Sequence, residues 1–160
     1  MSINESNRSS QLAASEAARE SRQKLYREFL SSLNRYEGAL SEVSAVMLEP
    51  TLAPETQTAK LAELGKSQIL FADALNTVWM TGSEDMFVIA DRYVVRLNRF
   101  ARDDMAPFTD RYTPKGSYSE YGEDEWRKST SALGAAAHTL IEDLEAITGD
   151  FLKQARKDLT

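Results

Sequence analysis

Three arginines, two valines and one histidine are where chemistry could reside in this chain of 160 residues. Arg92, Arg96 and Arg99 follow one another at steps of four and three, which places them on one narrow stripe of a helix. A guanidinium is planar, permanently charged and forked, so it pairs with phosphates, lipid headgroups or carboxylates. The stripe therefore fits an anionic ligand or an acidic partner. It equally fits internal pairing with an acidic stretch of the same chain or with acids on neighbouring helices. Val88 and Val95 lie beside it, one heptad apart, on a side that the main apolar seam of this helix leaves uncovered. Apolar residues among arginines are unusual as an exposed stripe. Either another part of the chain covers them, or they meet a second molecule, most simply a second copy across a two-fold axis. Further along, Phe108, Tyr112, Tyr118 and Tyr121 stand among acids. They suit a recognition surface, where tyrosine is enriched, or packing over an open end of the fold.

Catalytic chemistry is poorly supplied. A carboxylate-bridged dimetal site in a helical bundle needs Glu-x-x-His on two helices. The chain has one histidine, His138, with no glutamate three residues before it. It falls about 160° from Leu140 on the helical wheel, away from the apolar seam. That reads as a surface histidine and argues against metal or haem ligation. There is no cysteine, hence no disulfide, thiolate site or thiol nucleophile. Phosphate loops, dinucleotide fingerprints, nucleophile elbows and zinc-binding helices are absent from the sequence. The carboxylate pairs Asp103-Asp104 and Glu123 to Glu125 read as solvated or helix-capping. The expectation is a protein that is not an enzyme, with no cofactor and no metal.

The net charge of −6 is concentrated. Residues 103–125 hold seven acids and two bases, so they carry −5 of it. Phosphate contacts dominate nucleic-acid affinity, and an acidic chain offers few of them. The N-terminus has no apolar run of the secretory kind, and the longest apolar run, 86–90, is too short to span a bilayer. The chain reads as soluble and, without cysteine, suited to the reducing cytoplasm.

The elements that must position these residues are helical. No stretch alternates apolar and polar residues as a half-buried strand does, and good helix formers dominate. The expected fold is all-α: an antiparallel bundle of four helices near 11–49, 55–80, 84–102 and 123–157. A long connection containing Pro, Gly and Tyr precedes the last helix. Residues 1–10 are expected to be a disordered tail, and 11–160 a single domain. Tyr26, Phe29, Leu33, Tyr36, Leu40, Val43 and Met47 form the first seam, at heptad spacing. Residues 11–24 extend it without an apolar stripe. Leu61, Leu64, Phe71, Leu75, Val78 and Trp79 form the second, with Gln68 as a buried amide. Met86, Ala90, Tyr93, Leu97 and Phe100 form the third. Trp126, Thr130, Leu133, Ala137, Leu140, Leu144, Ile147 and Phe151 form the fourth. Helices two and three are expected to fold back on each other at Gly82, with Thr81 or Ser83 as N-cap, the alternative being one continuous, kinked helix. Gly149 weakens the last turns by about 1 kcal/mol relative to Ala.

One short run, 97–112 (LNRFARDDMAPFTDRY), resembles the middle of membrane-curving helical modules of the BAR type. It covers a tenth of the chain, and the chain departs from those modules in being shorter, acidic and broken by Pro and Gly there. The resemblance implies a peripheral membrane module acting through the arginine stripe. The residues themselves favour a non-catalytic protein that binds a protein partner, or itself, through helix faces.

Overall fold

A computed structural model describes residues 3–49, 53–112 and 122–160. Among them there is helix and no strand. The order is α1 (Ile3–Leu48), α2 (Pro54–Thr81), α3 (Glu84–Phe100), a π-helical turn (Ala101–Met105), α4 (Ala106–Tyr112) and α5 (Glu123–Asp158). Four long helices thus correspond to the four seams of the sequence.

The core is built from those seams. Every residue of the α1 and α5 seams is buried, as are Met86, Ala90, Tyr93, Leu97 and Phe100 of α3. One ring from each long helix meets at the centre. Phe29 lies 5.4 Å from Phe71, 5.3 Å from Tyr93 and 4.6 Å from Phe151, centroid to centroid. Each such ring contributes roughly 1.5–3 kcal/mol by leaving water. The α1 and α5 helices approach closely at Gly134. A Cβ there would lie 3.1 Å from the Met47 Cβ and 3.2 Å from the Ser44 carbonyl oxygen. The Ser44 hydroxyl donates to the Gly134 carbonyl at 2.9 Å.

The chain breaks between α2 and α3 at Gly82-Ser83. In one continuous rod, Phe71 and Tyr93 would stand about 33 Å apart; their rings are 5.9 Å apart. The Ser83 hydroxyl is the N-cap, accepting from the Met86 amide at 3.1 Å, while Thr81 bonds back to Thr77. Gly82 is needed for space rather than for a left-handed turn. Its φ is −75°, and a Cβ would sit 2.6 Å from the Val78 carbonyl oxygen. The Ser83 hydroxyl also donates to Asp158 at 2.7 Å; Tyr26 of α1 and Gln154 of α5 donate to the same carboxylate. These bonds fasten the end of α5, where Gly149 had suggested weakening, and the helix runs to Asp158.

Four expectations are corrected. Helix α1 begins at Ile3 rather than near residue 11, so the expected disordered tail is helical from residue 3, with every side chain through residue 21 exposed. The buried polar residue of the α2 seam is Ser67, which bonds its own helix at Leu64, and Gln68 is only partly covered. Trp79 is partly exposed instead of fully in the core. Finally, residues 103–112 of the expected connection are helical. Pro107 lacks an N–H, and in an α-helix its ring would strike the carbonyl four residues back. The turn before it takes in one extra residue, with the Ala106 amide reaching Ala101. The helical path then continues. Residues 113–121, including Tyr118 and Tyr121, lie outside the described residues.

Candidate interaction face on the second and third helices

The arginine stripe forms where expected, and its partners come from α5. Arg96 is the most covered, with 11% of its side chain exposed, and donates to Asp143 at 2.7 Å. Arg92 donates to Asp150 at 2.7 Å, and Arg99 approaches Asp143 at 3.8 Å. The hydrogen bond from Arg92 holds the Asp150 carboxyl below the ordinary carboxylate range. Among the described residues, the acids that pair with the stripe thus belong to a neighbouring helix, while Asp103 of the acidic stretch feels the charge of Arg99 without pairing with it. Arg92 and Arg99 stay about half exposed.

Phe108 and Tyr112 are buried, so they are not on offer as a recognition surface. Their rings pack 5.0 Å apart, and the Tyr112 hydroxyl bonds Ser129 of α5 at 3.2 Å. That is the packing role the sequence left open for them. His138 is exposed and meets Glu142, one turn on, at 3.0 Å. Among the described residues, no three His, Cys, Asp or Glu side chains are arranged to hold a metal ion. A groove between α1 and α2 is lined by Gly38, Ala39 and Leu70 and by charges of both signs, among them Glu42, which accepts from Lys60 at 3.1 Å.

Several large apolar side chains are left uncovered. Val88 and Val95 are 61% and 59% exposed, on the side of α3 opposite its buried seam. Two residues of α2 that sequence reasoning passed over, Ile69 and Met80, are exposed at 65% and 73%. Phe87 of α3 is also exposed, and its ring lies 4.9 Å from Trp79, bridging the two helices on their outer side. The signal for this face was present. Residues 67–83 contain a single charge, Asp73. The sides of α2 away from its seam are therefore poor in charge as well. A helix apolar beyond one stripe has more surface to bury than its own core takes.

None of the described helices is long and apolar enough to cross a membrane. Comparison with known proteins finds no matching family, no matching curated protein and no matching solved structure.

Proposed function

We propose that this chain is a non-catalytic interaction protein: its four long helices form an antiparallel bundle, and the outward sides of α2 and α3 bind protein. The exposure of Ile69, Met80, Val88 and Val95 carries this reading. Surfaces of this kind are interaction sites more often than idle ones. The competing reading is a peripheral membrane module acting through Arg92, Arg96 and Arg99. It is weakened because Asp150 and Asp143 already pair with Arg92 and Arg96, leaving Arg99, among the described residues, as the one arginine of the stripe without a close partner of its own. Residues 67–91, which form much of the apolar face, hold four acids and no base; they would be repelled by an anionic bilayer. The net charge of −6 speaks equally against nucleic acid. A cysteine-free chain suits the cytoplasm.

Photo-crosslinking tests the reading. A photoreactive residue at Met80 is expected to give discrete protein adducts, and one at Thr139, exposed on α5, is expected to give none. Flotation with phosphatidylserine vesicles supplies the opposing arm. Salt-sensitive flotation that is lost on Arg96→Glu would overturn the proposal in favour of the membrane.

A further inference from the structure

The charges along α3 are segregated by sequence. Its first half holds Glu84, Asp85 and Asp91 with no base, and residues 92–102 hold Arg92, Arg96, Arg99 and, in the π-helical turn, Arg102 with no acid, before Asp103 and Asp104 follow and Asp103 accepts from Arg102 at 2.8 Å. On the wheel, Val88 and Val95 define the outermost line of the helix. Glu84, Arg99 and Arg102 fall within about 30° of that line, and Asp85 about 70° from it. Acids in a first helical turn favour the helix dipole, but that does not account for two exposed valines centred between the two charge blocks.

We propose that α3 pairs with the α3 of a second copy, antiparallel, about a two-fold axis passing near Asp91 and Arg92. This deepens the protein-binding reading above and rests on it. Reversal about that point sets Val88 of each copy opposite Val95 of the other. The apolar pair then becomes a continuous four-valine seam. The same reversal brings Glu84 and Asp85 of each copy to the end that carries Arg99 and Arg102 of the other. Parallel pairing would set acids against acids and arginines against arginines, and complementary charge selects register and partner in this way. The two copies of Arg92 come near each other at the axis, but each is held by its own Asp150 at 2.7 Å. Arg99 is half exposed and only loosely met by Asp143 at 3.8 Å, so it carries most of the complementarity; Arg102, about three-quarters exposed, already bonds its neighbour Asp103 at 2.8 Å and adds less. One helix of 17 residues makes a small interface, so the dimer belongs to the weak class.

The absence of cysteine gives a direct test. Val88→Cys alone and Val95→Cys alone are each expected to give little disulfide-linked dimer under mild oxidation. An equimolar mixture of the two is expected to crosslink efficiently, because only 88 to 95 is close. Charge reversal supplies the second measurement, by sedimentation velocity. Glu84→Arg with Asp85→Arg in one variant, and Arg99→Glu with Arg102→Glu in another, are each expected to weaken association at least about tenfold, or roughly 1.4 kcal/mol. Mixing the two restores every opposite pair and is expected to restore the dimer. Circular dichroism on each variant separates loss of pairing from loss of fold, and recovery on mixing cannot come from misfolded chains. A wild-type chain that stays monomeric at high micromolar concentration overturns the proposal. So does a dimer indifferent to the reversals, or crosslinking of Val88→Cys to itself. Adducts to other proteins at Met80 together with a monomeric chain would leave the broader reading standing and remove only this one.

Discussion

At Gly134 the separation of the two longest helices is set by the absence of one carbon. The Met47 Cβ and the Ser44 carbonyl that a new Cβ would meet belong to positions fixed by the backbone. They cannot rotate away, so Gly134→Ala must push α1 off α5 or strain the Ser44 bond. The expected cost is about 1–3 kcal/mol, read as a lower denaturation midpoint. Gly149 provides the contrast, since nothing lies within 4 Å of a Cβ there. Gly149→Ala is expected to stabilise by up to about 1 kcal/mol. Equal effects of the two changes would refute the steric argument. From sequence alone the two glycines look alike, each standing in a good helical pattern. Only the neighbouring helix distinguishes them. The same holds for Arg96: its stripe is visible in the spacing, but Asp143 lies 47 residues away and no local pattern links them.

The elements themselves were readable to the extent that one periodicity governed them. The seams of α1, α3 and α5 are buried as their heptad spacing required. Reading failed where two effects competed. Pro107 signals a helix end, and a π turn accommodates it instead. On α2, Ser67 and Gln68 lie on either side of the seam axis, and the smaller residue is the one buried. The outer side of α2 is not legible from its seam, because one apolar stripe does not require the opposite side to be polar, and Ile69 and Met80 stand there exposed. Residues 3–21 raise a different matter. Helix propensity alone supports a helix there, with no buried face, and such a helix is marginal in water. A chain beginning at Arg22 is therefore expected to keep the thermal midpoint of the full chain and to lose only helical circular dichroism. A midpoint lower by several degrees would mean that the segment, whose Leu12, Ser15 and Ala18 border Asp158 and Thr160, covers the end of α5 in solution.

At the scale of the whole molecule, the core holds three tyrosines whose deprotonation the fold resists. Tyr36 is fully buried, stacked on Phe71, and its hydroxyl has no hydrogen-bond partner. Burial pushes its pKa up, against a smaller opposing influence of the Arg96 charge. Burial likewise raises Tyr93, outweighing its bond to Thr148. Tyr26 is raised to about 12 by burial and by its contact with the Asp158 carboxylate. In the unfolded chain each hydroxyl titrates near 10. Stability is thus fully present below about pH 10 and falls as pH rises toward and through the folded values, because the unfolded state then binds fewer protons. The slope is about 1.4 kcal/mol per pH unit for each tyrosine, so roughly 4 for the three. Urea unfolding between about pH 9 and about pH 11.5 is expected to show this decline. Tyr36→Phe is expected to remove about a third of the slope and, by deleting an unpartnered buried hydroxyl, to cost little or nothing at neutral pH. Asp158 acts at the other extreme. Burial alone would raise its pKa, but bonds from Tyr26, Ser83 and Gln154 hold it below the ordinary value. Its contribution is therefore present above about pH 4 and lost as pH falls through the depressed value. Stability independent of pH across the alkaline window, or a slope unchanged in Tyr36→Phe, would show that these rings ionise without unfolding the core.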